Sequence, residues 1–217
     1  DCHEMIQDSK GRILLLTNET KNNLIVYNKS GSLMDSWGTQ FPGAHGLTVQ
    51  QNGKEDFLFI TDTDKHQVYK TTIDGKILLT IDAPADLPAY QKKEAFVPTE
   101  TAVLANGEFY IADGYGAQHI LHYDEKGKLK NAFGGRGTGD EYLDNAHGIC
   151  VDTRNATPTL IITDRTRNAF KRFSMDGKLL EVIHLPGACM CRPVIKGDYL
   201  YAAVLRSPNL DTVNSGF

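Results

Sequence analysis

The sequence predicts an all-β propeller, and three observations carry that expectation. Four apolar runs read alike: Leu14-Leu15-Leu16-Thr17-Asn18, Phe57-Leu58-Phe59-Ile60-Thr61-Asp62, Phe109-Tyr110-Ile111-Ala112-Asp113 and Leu160-Ile161-Ile162-Thr163-Asp164. Each is followed by a second strand-like run and a turn, at Ser30-Gly31, Asp74-Gly75, Lys126-Gly127 and Asp176-Gly177, the glycine lying 13 or 14 residues beyond the closing Asn or Asp. The unit recurs after 44, 51 and 51 residues. A period near 40–50 with several short strands per unit marks a propeller blade. Such an architecture sets equivalent residues of every blade around one channel, so a side chain recurring at one register can meet its copies.

Within a unit the order is constant. An entry strand such as Gly46-Leu47-Thr48-Val49 leads to a polar turn, Gln51-Asn52-Gly53-Lys54. The Phe57–Asp62 run follows, then His66-Gln67-Val68-Tyr69-Lys70, the Asp74-Gly75 turn and Lys76-Ile77-Leu78-Leu79-Thr80. The runs are rich in Ile, Leu, Val, Phe and Tyr and bounded by Gly, Asn, Asp and Ser, which reads as four antiparallel strands joined by tight turns. No long stretch has apolar residues at helical spacing.

The segments between units are longer. One, over 83–96, holds Pro84 and Pro88; another is the glycine-rich Gly134-Gly135-Arg136-Gly137-Thr138-Gly139-Asp140-Glu141. The latter lacks the Lys-Ser/Thr of a phosphate-binding loop and precedes no predicted helix, so it reads as an inter-blade connection. One propeller domain is expected over 1–217, with blades near 3–40, 41–82, 96–134, 143–185 and 190–217. About four and a half blades of six are expected in the chain. It opens inside a repeat at Asp1-Cys2-His3, without a starting methionine, and stops at Phe217 before the last blade is finished, which reads as an incomplete piece.

Bulk properties narrow the function classes. The 217 residues are 41% hydrophobic and 23% charged, an ordinary globular composition. A net charge of −4 gives no basic footprint for nucleic acid. No apolar run reaches the length of a membrane span. The four cysteines are too few for a disulfide-built scaffold. Cys189 and Cys191 are too close to bridge easily within a strand, Cys150 reads as a small buried hydrophobe, and Cys2 could pair at a distance.

The entry strands hold the chemistry. Three present a histidine at matching registers, in Cys2-His3-Glu4-Met5, Ala44-His45-Gly46-Leu47 and Ala146-His147-Gly148-Ile149, whereas the third blade has Pro98-Thr99-Glu100-Thr101. Entry strands line a propeller's channel, so His45, His147 and His3 are candidate ligands of one ion, and neutral imidazoles suit zinc. The plainer alternative is that each histidine ties its strand through a backbone hydrogen bond. A second cluster lies where the next strand ends: Asp62-Thr63-Asp64-Lys65, Asp113-Gly114-Tyr115-Gly116 and Asp164-Arg165-Thr166-Arg167. The aspartates suit turn-holding roles. Tyr115 is a candidate base and Arg165 a candidate carboxylate clamp. His66, His119, His122 and His184 fall in second, third or outer strands. Trp37, in Ser36-Trp37-Gly38, reads as an aromatic packed between neighbouring blades.

Taken together, Ser36-Trp37-Gly38, Ala44-His45-Gly46-Leu47, Thr61-Asp62, Pro98-Thr99, Ala112-Asp113-Gly114-Tyr115, Ala146-His147-Gly148 and Asp164-Arg165 resemble an NHL-repeat propeller. They are similar in particular to the lyase domain of peptidylglycine α-amidating enzymes. The likeness covers most of residues 36–180 and implies a six-bladed fold with a channel zinc on three histidines, two of them matched by His45 and His147. His3 has the register but not the blade of the third. The resemblance further implies that Tyr115 acts on the substrate hydroxyl, that Arg165 is an active-site arginine, and that the backbone carbonyl of Leu47 serves a structural calcium. The chain departs from the family where Gly116 replaces a disulfide cysteine and where a first-blade arginine finds no match. The activity implied is cleavage of an N-acyl-α-hydroxyglycine, a small-molecule or peptide substrate in the channel, to amide and glyoxylate. Two alternatives stand beside it: a non-catalytic propeller binding a protein, glycan or small ligand, and a lactonase- or hydrolase-like propeller. The resemblance implies an extracytoplasmic location, periplasmic or secreted.

Overall fold

A computed structural model describes residues 1–206 apart from Lys54. Among the described residues, eighteen strands form four four-stranded antiparallel sheets and one two-stranded sheet. The first sheet holds β1 (Cys2–Gln7), β2 (Ile13–Thr17), β3 (Leu24–Tyr27) and β4 (Leu33–Trp37). The second holds β5 (Ala44–Gln51), β6 (Asp56–Asp62), β7 (Gln67–Thr72) and β8 (Ile77–Ile81). The third holds β9 (Glu100–Val103), β10 (Phe109–Ala112), β11 (His119–Tyr123) and β12 (Leu129–Gly134). The fourth holds β13 (Ala146–Asp152), β14 (Thr159–Asp164), β15 (Ala169–Ser174) and β16 (Leu179–His184). β17 (Cys189–Lys196) and β18 (Tyr199–Arg206) begin a fifth. The expected remainder of that blade, 207–217, lies outside the described residues. Two short 3-10 turns, Pro88–Tyr90 and Lys93–Ala95, occupy the connection around Pro84 and Pro88. His66 sits in the turn before β7, at φ 60°, rather than in a strand.

Burial explains why the second strand of each blade is the clearest sequence signal. Phe109–Ala112 and Thr159–Asp164 are buried along their whole length. A strand covered on both faces by neighbouring sheets must be apolar almost throughout, so it loses the in–out alternation of a half-exposed strand. The outermost strands, such as β4 and β16, stay largely exposed.

The core is a series of inter-sheet seams. Leu14, Leu24, Leu47 and Ile60 join blades one and two; Phe59, Ile81, Phe109 and Leu121 join two and three; Tyr110, Ala112, Leu160 and Phe173 join three and four. Ile161, Phe170 and Met190 join four and five. At the rim, apolar side chains of one blade cover the turn glycine of the next, and between blades two and three Ile81 and Leu79 cover Gly127. Trp37 covers Gly75 of the next blade, and Phe133 covers Gly177 of the next. The turns carrying these glycines share one device. The glycine N–H donates to the carbonyl three residues back, at Asn28, Thr72, Asp124 and Ser174. The side-chain oxygen at each of those four positions accepts from the backbone four residues on, at Ser32, Lys76, Lys128 and Lys178. Local side-chain acceptors of this kind favour turns over continued strand.

The entry strands β1, β5, β9, β13 and β17 touch one another in sequence around the axis. Their registers are broken where the histidines lie. The bulge falls between Cys2 and Glu4 in β1, between Ala44 and Leu47 in β5, and between Ala146 and Ile149 in β13. One extra residue in a strand re-aims the side chains beside it, here into the channel.

Candidate functional site

The bulges bring three imidazoles together. The ring centroids of His3 and His45 are 5.0 Å apart, and those of His45 and His147 are 5.1 Å apart. Residues 42 to 144 positions apart in sequence thus share one spot on the axis. Tyr115 joins them, its ring 5.1 Å from that of His45 and 5.7 Å from that of His147. Its hydroxyl lies 3.2 Å from His45 Nε2.

Each member is held by its neighbours. His45 Nδ1 lies 2.9 Å from the carbonyl of Thr99, in the blade without a channel histidine. A carbonyl only accepts, so Nδ1 carries the proton and the Nε2 lone pair faces the channel. The plain alternative, a histidine tying a strand, is therefore true of Nδ1, while Nε2 accepts from the Tyr115 hydroxyl in the channel. His147 Nδ1 is buried with no hydrogen-bond partner, an uncompensated polar atom that asks for an explanation. Burial, with the Arg165 charge added, drives the His147 pKa down to about 2. Burial also lowers those of His45 and His3. All three are held in the neutral form that ligates metals. They are gathered but not yet converged: among the described residues, no group of three or more His, Cys, Asp or Glu side chains is arranged as it stands to hold a metal ion.

Tyr115 reaches the channel on a loop that a larger residue could not build. A Cβ at Gly114 would lie 2.2 Å from the Ala146 carbonyl. Gln118, at φ 70°, clasps the loop to the fourth blade. Its Nε2 donates to Gly114 O at 2.7 Å, and its Oε1 accepts from Ala146 N at 2.9 Å. Asp113 keeps the loop's base through bonds from Tyr90 Oη, Val97 N and Ala117 N. Burial raises the Tyr115 pKa, and the Arg165 guanidinium beside it works in the opposite direction. Arg165 is aimed by the Met190 carbonyl, which accepts from Nε at 3.2 Å, and its Nη2 lies 3.3 Å from Cys191 Sγ. His3, His45, Tyr115, His147 and Arg165 line a cavity of about 980 Å³.

Under the imidazoles lies a second layer that sequence reasoning missed. Arg192 Nη1 donates to the Leu47 carbonyl at 2.7 Å, and Nη2 to Thr48 Oγ1 at 3.3 Å. Nη1 also sits 3.6 Å from both Glu4 Oε2 and Glu100 Oε2. The carbonyl that the resemblance assigned to calcium therefore already faces a guanidinium. Burial, reinforced by the Glu100 charge, pushes the Glu4 carboxyl up to about 8. The signal was available: Met190-Cys191-Arg192-Pro193 occupies the register of Ala44-His45-Gly46-Leu47, so Arg192 stands where the histidine strands have glycine. No disulfide forms among the described residues; all four cysteines are free.

A family model described as DUF5128, 6-bladed beta-propeller, matches residues 98–213. The chain belongs to this family. Its sheet order, with four-stranded antiparallel blades, is that of such a propeller. Among curated proteins, the chain is 40% identical over 115 residues to peptidyl-alpha-hydroxyglycine alpha-amidating lyase 1 of Drosophila melanogaster, covering 49% of this chain and 20% of that protein. It is 39% identical over 112 residues to lyase 2 of the same organism, covering 50% of this chain and 27% of that one. The chain thus spans 20% and 27% of the length of these two relatives. A streptogramin B lyase structure superposes with a TM-score of 0.70 over 94% of this chain and 62% of that one, at 16% identity, which is a likeness of fold. No helix among the described residues is long and apolar enough to cross a membrane.

Proposed function

We propose that this propeller is a zinc-dependent lyase that cleaves an N-acyl-α-hydroxyglycine into an amide and glyoxylate. The observation that carries the proposal is the gathering of His3, His147 and Tyr115 around His45 in the channel. The matches to amidating lyases support the choice of substrate class.

The donor set suits zinc. Imidazole nitrogens are ordinary zinc ligands, and the neighbouring rings here stand with centroids 5.0 and 5.1 Å apart. The neutral rings, the Nε2 lone pair of His45 set by Thr99, and the unpartnered Nδ1 of His147 all favour the same reading. His45 and His147 would hold the ion, with His3 as the third ligand. Once bound, the ion supplies Lewis-acid stabilisation of charge on a substrate oxygen.

The chain's own residues do the rest. Arg165, fixed by the Met190 carbonyl, presents a guanidinium that pairs with the substrate carboxylate. Tyr115 accepts the proton of the substrate hydroxyl. As that O–H bond breaks, the carbon–oxygen bond becomes the aldehyde carbonyl of glyoxylate and the C–N bond breaks. The amide nitrogen leaves with the electron pair and takes up one proton, so no oxidant or water is consumed. Tyr115 must be ionised to act as base, and Arg165 is the neighbour that lowers its pKa against the effect of burial. The same reading places the protein outside the cytoplasm.

Incubating zinc-loaded protein with N-benzoyl-α-hydroxyglycine and measuring glyoxylate tests this. Release above the spontaneous rate is expected. Bound zinc without glyoxylate would favour a hydrolase- or lactonase-like propeller, and neither zinc nor turnover would favour a ligand-binding one.

A further inference from the structure

We propose that this propeller needs no calcium in its channel, because Arg192 is a built-in cation occupying that place. Among the described residues, its guanidinium meets the carbonyl assigned to calcium and the two carboxylates beside it. Nη1 donates to the Leu47 carbonyl at 2.7 Å and lies 3.6 Å from both Glu4 and Glu100, and Nη2 reaches Thr48 Oγ1 at 3.3 Å. A calcium ion would need that carbonyl at about 2.3–2.6 Å. It would then stand against a positive charge already hydrogen-bonded to the same oxygen.

The surrounding strands are cut to fit the arginine. A Cβ on Gly148 would come within 2.5 Å of Arg192 Cα, and one on Gly46 within 2.9 Å of Glu100 Oε1. The glycine of each His-Gly pair thus makes room for a member of this layer. Glu100 is fixed from outside the ion pair, accepting from Thr101 N at 2.9 Å and Thr48 Oγ1 at 3.1 Å. The Glu100 side chain is 3% exposed, so removing the guanidinium would leave a buried carboxylate without its counter-charge. Arg192 belongs to β17, Glu4 to β1, Leu47 to β5 and Glu100 to β9. One side chain therefore ties four blades together at the axis. None of this depends on the zinc-lyase reading, since the groups involved are not the imidazoles.

The test is thermal unfolding of the purified protein in EGTA and in millimolar calcium chloride, with calcium titrated calorimetrically. The wild type is expected to melt at one temperature in both buffers and to bind no stoichiometric calcium. Arg192→Ala is expected to lower the midpoint by roughly 5–10 °C, with part of the loss recovered in Arg192→Ala/Glu100→Gln. Should the single variant fail to fold, Arg192→Lys, which keeps a charge but loses the fork, is expected to fold with a smaller loss. A wild type that binds about one calcium and melts several degrees lower in EGTA overturns the proposal. So does Arg192→Ala melting with the wild type.

Discussion

At the scale of residues, the channel separates two kinds of task. His45 uses one nitrogen to hold Thr99 and turns the other to the channel, where it accepts from the Tyr115 hydroxyl at 3.2 Å. Replacing Tyr115 by Phe keeps the ring packed against His45 and His147 and removes only the hydroxyl. Glyoxylate release by Tyr115→Phe is expected to fall about 10²–10⁴-fold with zinc content unchanged. Undiminished turnover would remove Tyr115 from the chemistry. His45, His147, Tyr115 and Arg165 were legible because each repeats a register or breaks a turn pattern in a way that sequence displays. Glu4, Glu100 and Arg192 were not, because the layer they form has a different residue in every blade and only closure around the axis brings them together. Gln118 was hidden for another reason. Its clasp depends on a left-handed backbone that no residue type at that position announces.

At the scale of elements, the blades were legible because burial on both faces imposes apolar runs and the turns demand glycine. What sequence could not show was the bulge in each histidine strand, since a one-residue insertion leaves no mark on composition. Turn glycines are not equivalent. Gly31 and Gly177 share a left-handed backbone, at φ +83° and +94°, but a Cβ at Gly31 meets nothing within 4 Å while one at Gly177 meets the Phe133 ring at 2.5 Å. Gly31→Ala is expected to cost about 1–2 kcal/mol of backbone strain. Gly177→Ala adds a steric cost of about 1–3 kcal/mol. Denaturant melts of the two variants compare them directly, and equal losses would mean that the inter-blade aromatic does not hold the seam. A second device joins blades four and five. The buried Asp152 carboxylate pairs with Arg154 and Arg172, and Arg154 Nη1 reaches the Asp198 carbonyl at 2.7 Å. The hydrogen bonds from Arg154, outweighing burial, hold the Asp152 pKa well below the ordinary carboxylate value of 3.8. In acid the unfolded chain therefore binds more protons than the folded one. This contribution is complete above the ordinary value and is lost as pH falls below it. Asp152→Asn is expected to lose about 1.5–3 kcal/mol at neutral pH and to show a flatter acid limb in stability against pH. An unchanged acid limb would place the pH dependence elsewhere.

At the scale of the whole molecule, circular closure turns weak local signals into a site. Each histidine alone suits a strand tie, and the Thr99 bond shows that this role is real. Three of them around one axis, neutral and beside a phenol and a guanidinium, are the arrangement on which the proposed zinc site rests. The layer beneath supplies its own positive charge through Arg192, which separates the support of the channel from the chemistry at its mouth. The most direct measurement is the zinc content of purified protein after zinc loading and exhaustive dialysis, compared with His45→Ala/His147→Ala. About one zinc per chain in the wild type, and none in a double variant that remains folded, is the expected result. A wild type that retains no zinc, or a double variant that retains as much, would contradict the account.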